Sequence, residues 1–181
     1  MAVVLFVTIG IVVALIKMSL GKNAKAKRAL WVRGAYSIWT GGEDSGTWNQ
    51  ARAANSLRDW YGVSTGNDFW EVIRGLRAGT TGNPAWDRVR ALDLLRIAHA
   101  AQLIDDEGCW NECARIGQEL QQAYPSWDAL AQGFESGMHA WQRSRGQTDQ
   151  NEISRVQRNL PALRGQIWPG VGFKTELVLD D

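Results

Sequence analysis

Arginine, aspartate and tryptophan recur in one stretch of this sequence at spacings that could form an anion-binding site. Asp87, Arg90 and Arg96 share one predicted helix. Two guanidinium groups can hold a carboxylate or a phosphate through paired hydrogen bonds, and tryptophan rings provide flat walls beside such a ligand. The candidate polar cluster comprises Trp86, Asp87, Arg90, Arg96, Trp127 and Asp128.

The same residues also have a purely structural explanation. Asp87 lies three positions before Arg90, and Asp93 lies three positions before Arg96, so each acid can pair with a base on its own helix. Such pairs would satisfy one another inside the protein and fix the packing of neighbouring helices. The ligand-binding interpretation requires an open pocket that both arginines face.

Other residue types that support catalysis or metal binding lack the spacing that such sites need. The chain has two cysteines, Cys109 and Cys113, and two histidines, His99 and His139, without the ligand spacing of a zinc site. The cysteines are predicted to be reduced core residues. The sequence contains no glycine-rich phosphate loop and no nucleophile elbow. It therefore assigns no catalytic residue, no metal ligand and no cofactor, and it favours a protein that is not an enzyme.

Helical periodicity dominates the chain after its N-terminal segment and predicts an all-α fold. Apolar residues recur at helical spacing in segments 24–39, 47–61, 69–76, 85–103, 105–124, 126–141 and 152–160. Segment 85–103 is apolar around most of its circumference, which is typical of a buried central helix. The predicted body is a compact bundle of about six helices, with a polar linker at 142–150 and an extended piece at 173–179.

Helix boundaries are predicted from residues that cap or interrupt helices. The predicted N-caps are Thr47, Asn83, Asp105 and Ser126, because their side chains can accept hydrogen bonds from the first turn. Pro161 is predicted to end the last helix, since proline lacks the backbone N–H that a helix interior needs.

An uncharged apolar run at residues 2–16 predicts a transmembrane anchor. Counted to residue 20, the run is nearly long enough for a bilayer core of about 30 Å. No basic residue precedes it and no small-residue cleavage site follows it, so a retained anchor is favoured over a signal peptide. A buried core helix is a third interpretation of this run.

Basic residues follow the apolar run and orient the predicted anchor. The flanking positions are Lys17, Lys22, Lys25, Lys27 and Arg28. By the positive-inside rule, the body then faces the cytoplasm, and these charges lie against anionic headgroups. The predicted location is the bacterial inner membrane, with a single pass and a soluble cytoplasmic domain.

The formal net charge of +1 conceals an uneven distribution. Residues 17–33 carry six basic residues and no acid, which leaves 14 of the 20 basic residues against all 19 acidic ones. A mildly acidic body argues against a nucleic-acid partner, which requires a basic surface. The predicted partners are the lipid bilayer and an unidentified protein.

A pattern of aromatic and charged residues runs through residues 34–141. It comprises Trp60-Tyr61-Gly62-Val63, Ala85-Trp86-Asp87 with Arg90 and Arg96, the acidic turn Asp105-Asp106-Glu107 before Trp110, and Tyr124, Ser126-Trp127-Asp128, Phe134, Gly137 and Trp141. This pattern resembles the bacterial domain-of-unknown-function 1266 family. The family usually has Trp-Gly where this chain has Ile97-Ala98, and Gly-Tyr where it has Leu103-Ile104. The resemblance implies a helical fold and a polar cluster, and it implies no reaction.

The sequence divides into four predicted parts. These are a transmembrane anchor (1–21), a basic juxtamembrane segment (22–33), a helical domain resembling the family (34–145) and a C-terminal extension (146–181).

The favoured function is a membrane-anchored, cytoplasm-facing helical module that binds a protein partner, with an accessory subunit of a membrane complex as one form of it. Ten tryptophans support this prediction, because most belong in a core while a few exposed ones can mark a contact surface. One alternative is an immunity or antitoxin-like protein, which would show an exposed acidic groove. The other is a ligand-binding or enzymatic domain that uses Asp87, Arg90 and Arg96.

Overall fold

The computed structural model describes residues 23–42, 48–146 and 148–180 of the chain. Every regular element within these ranges is helical, and they contain no strand, so the all-α prediction is confirmed. The predicted anchor at residues 1–21 lies outside the described ranges. No helix within those ranges is long and apolar enough to cross a bilayer.

Seven α-helices form the described body. The first, α1, covers residues 23–40. The others are α2 (Gln50–Tyr61), α3 (Gly66–Arg77), α4 (Pro84–Ala100), α5 (Asp106–Ala123), α6 (Trp127–Ser144) and α7 (Gln150–Ala162). A π-helical turn at Leu163–Ile167 and a 3-10 turn at Trp168–Gly170 continue from α7.

Helix α4 is the centre of the bundle, and α2, α3, α5 and α6 all pack against it. Its residues 91–95 are buried without interruption. Five successive helical residues turn through more than a full circle, so this burial requires neighbours on every side. The apolar circumference therefore predicted the central helix correctly.

Helix α6 packs closely on α4 because residue 137 has no side chain. A Cβ atom added to Gly137 would lie 2.6 Å from Cβ of Trp86 and 2.8 Å from Cβ of Asn83. Both neighbouring atoms are rigidly attached to the backbone at the start of α4. A side chain at position 137 would therefore force the two helices apart.

Ion pairs fasten α3 and α5 to the outside of α4. Arg77, the last residue of α3, donates to Glu112 at 2.8 Å and also to Glu119, both on α5. Arg88 of α4 donates its Nε–H to the second oxygen of Glu119 at 2.7 Å. Hydrogen bonds from Arg77 and Arg88 outweigh the effect of partial burial, and the pKa of Glu119 is lowered.

Two of the predicted N-caps are confirmed. The Asp105 carboxylate accepts a hydrogen bond from the backbone of Gly108 at 2.8 Å, and the Ser126 hydroxyl accepts one from Ala129 at 3.2 Å. Each bond satisfies a backbone N–H that the first turn of a helix leaves unpaired.

The other two predicted caps differ from the structure. Asn83 occupies the N-cap position of α4, but its side chain makes no capping bond and donates instead to the carbonyl of Thr81 at 3.0 Å. Helix α2 begins after Asn49, whose side chain accepts from the backbone of Arg52 at 2.9 Å. Thr47 lies outside the described residues.

The predicted end of the last helix at Pro161 is wrong. Helix α7 continues to Ala162, and helical turns follow as far as Gly170. Proline removes one backbone hydrogen bond. The helical path continues because Leu160 and Leu163, on either side of the proline, are both buried in the core.

Residues 171–180, here called the C-terminal strap, lie without helix or strand against α1 and α5. Trp31 of α1 donates its indole N–H to the carbonyl of Phe173 at 2.7 Å, and Gln118 of α5 donates to that of Leu177 at 2.7 Å. Side chains thus bond backbone groups that have no partner strand. Phe173 and Leu177 are buried in the same core as α1 and α4.

Candidate functional site

Asp87 does not pair with Arg90, although their spacing predicted that pair. Asp87 is completely buried, and its two carboxylate oxygens accept hydrogen bonds from the backbone N–H and the hydroxyl of Thr81, at 3.1 and 3.0 Å. The loop before α4 would otherwise leave that N–H with a weaker partner or none. Asp87 therefore fixes the entry to α4 and is not available to a ligand.

Arg96 forms the predicted pair with Asp93. Its Nε and Nη2 both donate to one oxygen of Asp93, at 3.1 and 2.6 Å. Its guanidinium also lies over the rings of Tyr36 and Trp48, at 5.2 and 5.6 Å from their centres. Arg96 is thus a largely buried, paired residue.

Trp127 and Asp128 belong to another part of the bundle. Trp127 stacks on Trp168 with ring centres 5.5 Å apart and planes 4° from parallel, and its N–H donates to the carbonyl of Val171 at 3.0 Å. Asp128 forms an exposed ion pair with Arg164 at 2.8 Å. The candidate polar cluster is therefore not one site, because its six residues divide among separate contacts.

A different set of residues encloses a cavity of about 460 Å³ between α1, α2, α4, α6 and α7. We call this cavity the aromatic–arginine pocket. Its lining includes five aromatic residues and three arginines: Trp39, Trp60, Tyr61, Trp86, Trp141, Arg90, Arg145 and Arg155. Asp93, Leu94, Ile97 and Glu152 complete the lining.

Arg90 is the one arginine of the candidate polar cluster that lines this pocket. Its Nη2 donates to the hydroxyl of Tyr61 at 2.9 Å. Its guanidinium lies 5.0 Å from the ring centre of Trp86 and 5.9 Å from that of Trp141. Among the described residues no carboxylate forms an ion pair with Arg90, whose charge is held by aromatic rings and a hydroxyl.

Arg155 of α7 also lines the pocket. Its guanidinium lies over the ring of Trp39, 4.0 Å from the ring centre. Its Nε and Nη2 are shielded from solvent and have no hydrogen-bond partner. The indole nitrogen of Trp86 is also shielded from solvent and has no hydrogen-bond partner, and Trp86 is only 1% exposed.

A second cavity of about 370 Å³ lies between α1, α4 and α5 and includes Arg96, Cys109 and Cys113 in its lining. Both thiols are free and buried, as predicted. The hydrogen bond with Cys109 and burial raise the pKa of the Cys113 thiol well above its ordinary value. A raised pKa keeps the Cys113 thiol protonated, which is the opposite of activation as a nucleophile. In the described part of the chain, no group of three or more histidine, cysteine, aspartate or glutamate side chains is placed to hold a metal ion.

Arg28 does not have the lipid-facing position predicted for the anchor flank. It is 2% exposed, and it donates to the carbonyl of Val178 at 2.8 Å and to Asp180 at 3.0 Å. Its charge therefore holds the C-terminal strap. Lys25 and Lys27 are exposed, although Lys25 also pairs with Asp180 at 2.9 Å. Lys17 and Lys22 lie outside the described residues.

Sequence reasoning missed most of the aromatic–arginine pocket because its lining comes from five helices. Arg145 lies in the segment predicted as a linker, and Arg155 lies on a helix predicted without any functional residue. Trp39 and Trp141 lie at the ends of predicted helices, and both rings pack against Trp86. An arginine and a tryptophan on separate helices give no local signal that they will meet.

The described residues form an all-helical domain with an aromatic, arginine-lined pocket. Residues 77–166 match the model of the family described as Protein of unknown function (DUF1266). The family resemblance is therefore confirmed, and the matched region contains Arg90, Arg145 and Arg155. Comparison with curated proteins and with solved structures gives no match.

Proposed function

We propose that this chain is a membrane-tethered, cytoplasm-facing helical module that binds a protein in the same bacterial inner membrane, as an accessory subunit of a membrane complex. The apolar run at residues 2–16 and the basic residues after it support the tether. A tether would confine the domain near other membrane proteins and raise their effective concentration around it.

The exposed ring of Trp60 is the observation that carries the proposed contact surface. Trp60 is 65% exposed at the end of α2, whereas most of the described tryptophans are buried or half-buried. It packs edgewise on Trp48 with ring centres 6.3 Å apart, so its position is supported from within the domain. Tryptophan is enriched among the residues that dominate binding energy in protein interfaces.

A site-specific photocross-linking experiment tests this surface in the full-length chain. A photoreactive amino acid replaces Trp60 in one variant and Gln122, an exposed residue of α5, in a matched control. We expect position 60 to give one defined cross-linked membrane protein and position 122 to give none. Identical products at both positions, or no product at position 60, would contradict the proposed surface.

Membrane fractionation tests the tether separately. The full-length protein should remain in the membrane pellet through alkaline carbonate and leave it only with detergent. Deletion of residues 2–20 should move the protein to the soluble fraction, and the circular dichroism spectrum should still be that of a folded helical protein. Release of the full-length protein by carbonate would count against a spanning anchor.

The immunity or antitoxin-like alternative required an exposed acidic groove. Two described pockets carry five charged residues each. One has three arginines against Asp93 and Glu152, and the other has Asp106, Glu107 and Asp180 against Lys25 and Arg28. The second pocket has an excess of one carboxylate, and its Asp180 is already paired with Lys25 and Arg28, so the membrane-tethered module remains our proposal.

A further inference from the structure

We infer that the aromatic–arginine pocket binds a small organic anion, namely a carboxylate or phosphate attached to a flat ring, between Arg90 and Arg155. This inference goes beyond the proposed function, because it concerns a pocket inside the domain and depends neither on the tether nor on a protein partner.

The free edge of Arg155 is the first observation. The N–H groups of Nε and Nη2 lie on one side of a guanidinium and point in parallel, which matches the two oxygens of a carboxylate or phosphate. Both atoms are shielded from solvent without an acceptor. Leaving buried donors of a charged group unpaired costs free energy, which a bound anion would recover.

Stacking on tryptophan does not satisfy these donors. Trp39 contacts the face of the Arg155 guanidinium, at 4.0 Å from the ring centre, and attracts its charge. The N–H bonds lie in the plane of the guanidinium, so they remain directed away from that ring. The arrangement therefore holds Arg155 in place without supplying an acceptor for its hydrogen-bonding edge.

The indole nitrogen of Trp86 supplies a second unpaired donor. Trp86 is 1% exposed, its ring lines the pocket, and no acceptor lies within hydrogen-bonding distance of its N–H. Buried tryptophans usually find an acceptor for this group. Unpaired donors from α4 and α7 thus meet at one cavity.

The charge of the pocket selects for an anion over a neutral acceptor. Arg90, Arg145 and Arg155 line it, and none of them forms an ion pair with a described residue. Of the two carboxylates in the lining, Asp93 accepts from Arg96, whereas Glu152 accepts from the neutral amide of Gln142 and keeps its negative charge, so positive charges outnumber negative ones by one among the lining residues. The remaining positive charge lies in a partly dry environment, where electrostatic attraction is stronger than in water.

The walls and the size of the pocket define the rest of the ligand. A volume of about 460 Å³ is in the range of small-molecule sites. The partly buried rings of Tyr61 and Trp141 line the pocket and offer flat apolar surface, while exposed Trp60 lies at the pocket and can cover it. An aromatic carboxylate or an aryl phosphate combines the two features that the pocket recognises.

Binding of three related probes to the full-length protein in nonionic detergent tests this inference by isothermal titration calorimetry. Phenyl phosphate carries both the ring and the anion, phenol carries the ring alone, and inorganic phosphate carries the anion alone. Phenyl phosphate should bind most tightly, by roughly 10- to 100-fold over phenol, as expected for hydrogen bonds to a charged group. Equal binding of phenyl phosphate and phenol would overturn the assignment.

Variants locate the binding within the pocket. Arg155→Gln and Arg90→Gln should each weaken phenyl phosphate binding roughly tenfold or more. The affinity of Arg155→Lys should lie between those of Arg155→Gln and the wild type, because lysine keeps the charge but loses the paired donors. Arg74→Gln is the matched control, since Arg74 is exposed on α3 and bonded to Glu71. Equal effects of the pocket variants and Arg74→Gln would place the anion elsewhere.

Trp60→Ala keeps the inference testable if a pocket arginine proves necessary for folding. The Trp60 side chain is mostly exposed, so its removal should leave the domain folded, which circular dichroism checks. We expect this variant to bind phenyl phosphate more weakly and inorganic phosphate unchanged. Unchanged phenyl phosphate binding in Trp60→Ala would show that the ring does not enter this pocket.

Discussion

Asp87 shows how one buried residue can shape a site without touching it. Both of its carboxylate oxygens bond to Thr81, which fixes the loop that leads into α4. The first-turn residue Trp86 and the later residue Arg90, both on the pocket side of α4, depend on that entry for their positions. Because the Asp87 carboxylate accepts from two neutral groups of Thr81, it fixes the backbone of the loop. Arg90 therefore lies against aromatic rings and does not pair with Asp87.

A double-mutant cycle distinguishes this role from an ion pair. Asp87→Ala should destabilise the domain by about 1–3 kcal/mol, because it leaves the Thr81 donors without their acceptor. It should couple with Thr81→Ala by about 1 kcal/mol or more and with Arg90→Ala by less than about 0.5 kcal/mol. Urea unfolding measures these free energies. Strong coupling with Arg90 and none with Thr81 would reverse the assignment.

Gly137 allows a second test at the residue scale. Gly137→Ala should lower the free energy of unfolding by about 1–3 kcal/mol, since its Cβ would meet Cβ atoms of Trp86 and Asn83 that cannot move aside. Gly165→Ala is the matched control, because no atom lies within 4 Å of a Cβ added there. The control should be neutral or stabilised by about 0.5 kcal/mol. Equal urea midpoints for both variants would contradict a tight α4–α6 contact.

At the scale of elements, helices were predictable and most contacts between helices were not. The burial of segment 85–103 was predictable because apolar residues occur all around it. The pairing of Asp93 with Arg96 was predictable because both residues lie on one helix face. Asp87 and Arg90 have the same spacing, yet the Asp87 carboxylate accepts its hydrogen bonds from Thr81. Thr81 lies in the loop before α4, so the helical pattern gives no sign of this contact. The pocket was not predictable because it depends on contacts between separate helices. One of these is the contact of Trp39 on α1 with Arg155 on α7.

The C-terminal strap packs in a defined position, as a helix would, although it has no regular secondary structure. It is held by side chains of α1 and α5, and Asp180 is its terminal attachment to Arg28 and Lys25. The hydrogen bond from Arg28, followed by that from Lys25, holds the pKa of Asp180 below its ordinary value. The attachment is therefore sensitive to acid.

This lowered pKa gives a pH dependence with a definite sign. The contribution of Asp180 to stability should be complete above about pH 3.9, the ordinary pKa of aspartate, and should be lost as the pH falls through its lower value in the folded protein. Urea unfolding of the wild type and Asp180→Asn should differ most at neutral pH and converge at the most acidic pH. A difference that stays constant with pH would exclude this linkage.

At the scale of the whole molecule, the buried cysteines make the predicted orientation measurable. Cys109 and Cys113 are 4% and 2% exposed, so a maleimide should not label the native protein. A cysteine at the exposed position of Gln157 then becomes the one reactive site in the described body.

Gln157→Cys should react with a charged, membrane-impermeant maleimide only after the inner membrane is permeabilised, because the body is proposed to face the cytoplasm. The parent chain should remain unlabelled until it is denatured. Labelling of Gln157→Cys in intact spheroplasts would place the body on the other side of the membrane and overturn the proposed orientation.

The hydrogen bond between Arg28 and the strap joins two residues that are synthesised far apart in time. Arg28 and Val178 are 150 residues apart in sequence. Translation at roughly 5–20 residues per second separates their synthesis by roughly 8 to 30 s. The helix nearest the proposed anchor thus leaves the ribosome first and receives its last partners at the end of translation. A chain that stalls before residue 171 would leave Trp31 without its contacts to the strap, and it would present an unfinished surface to chaperones and proteases.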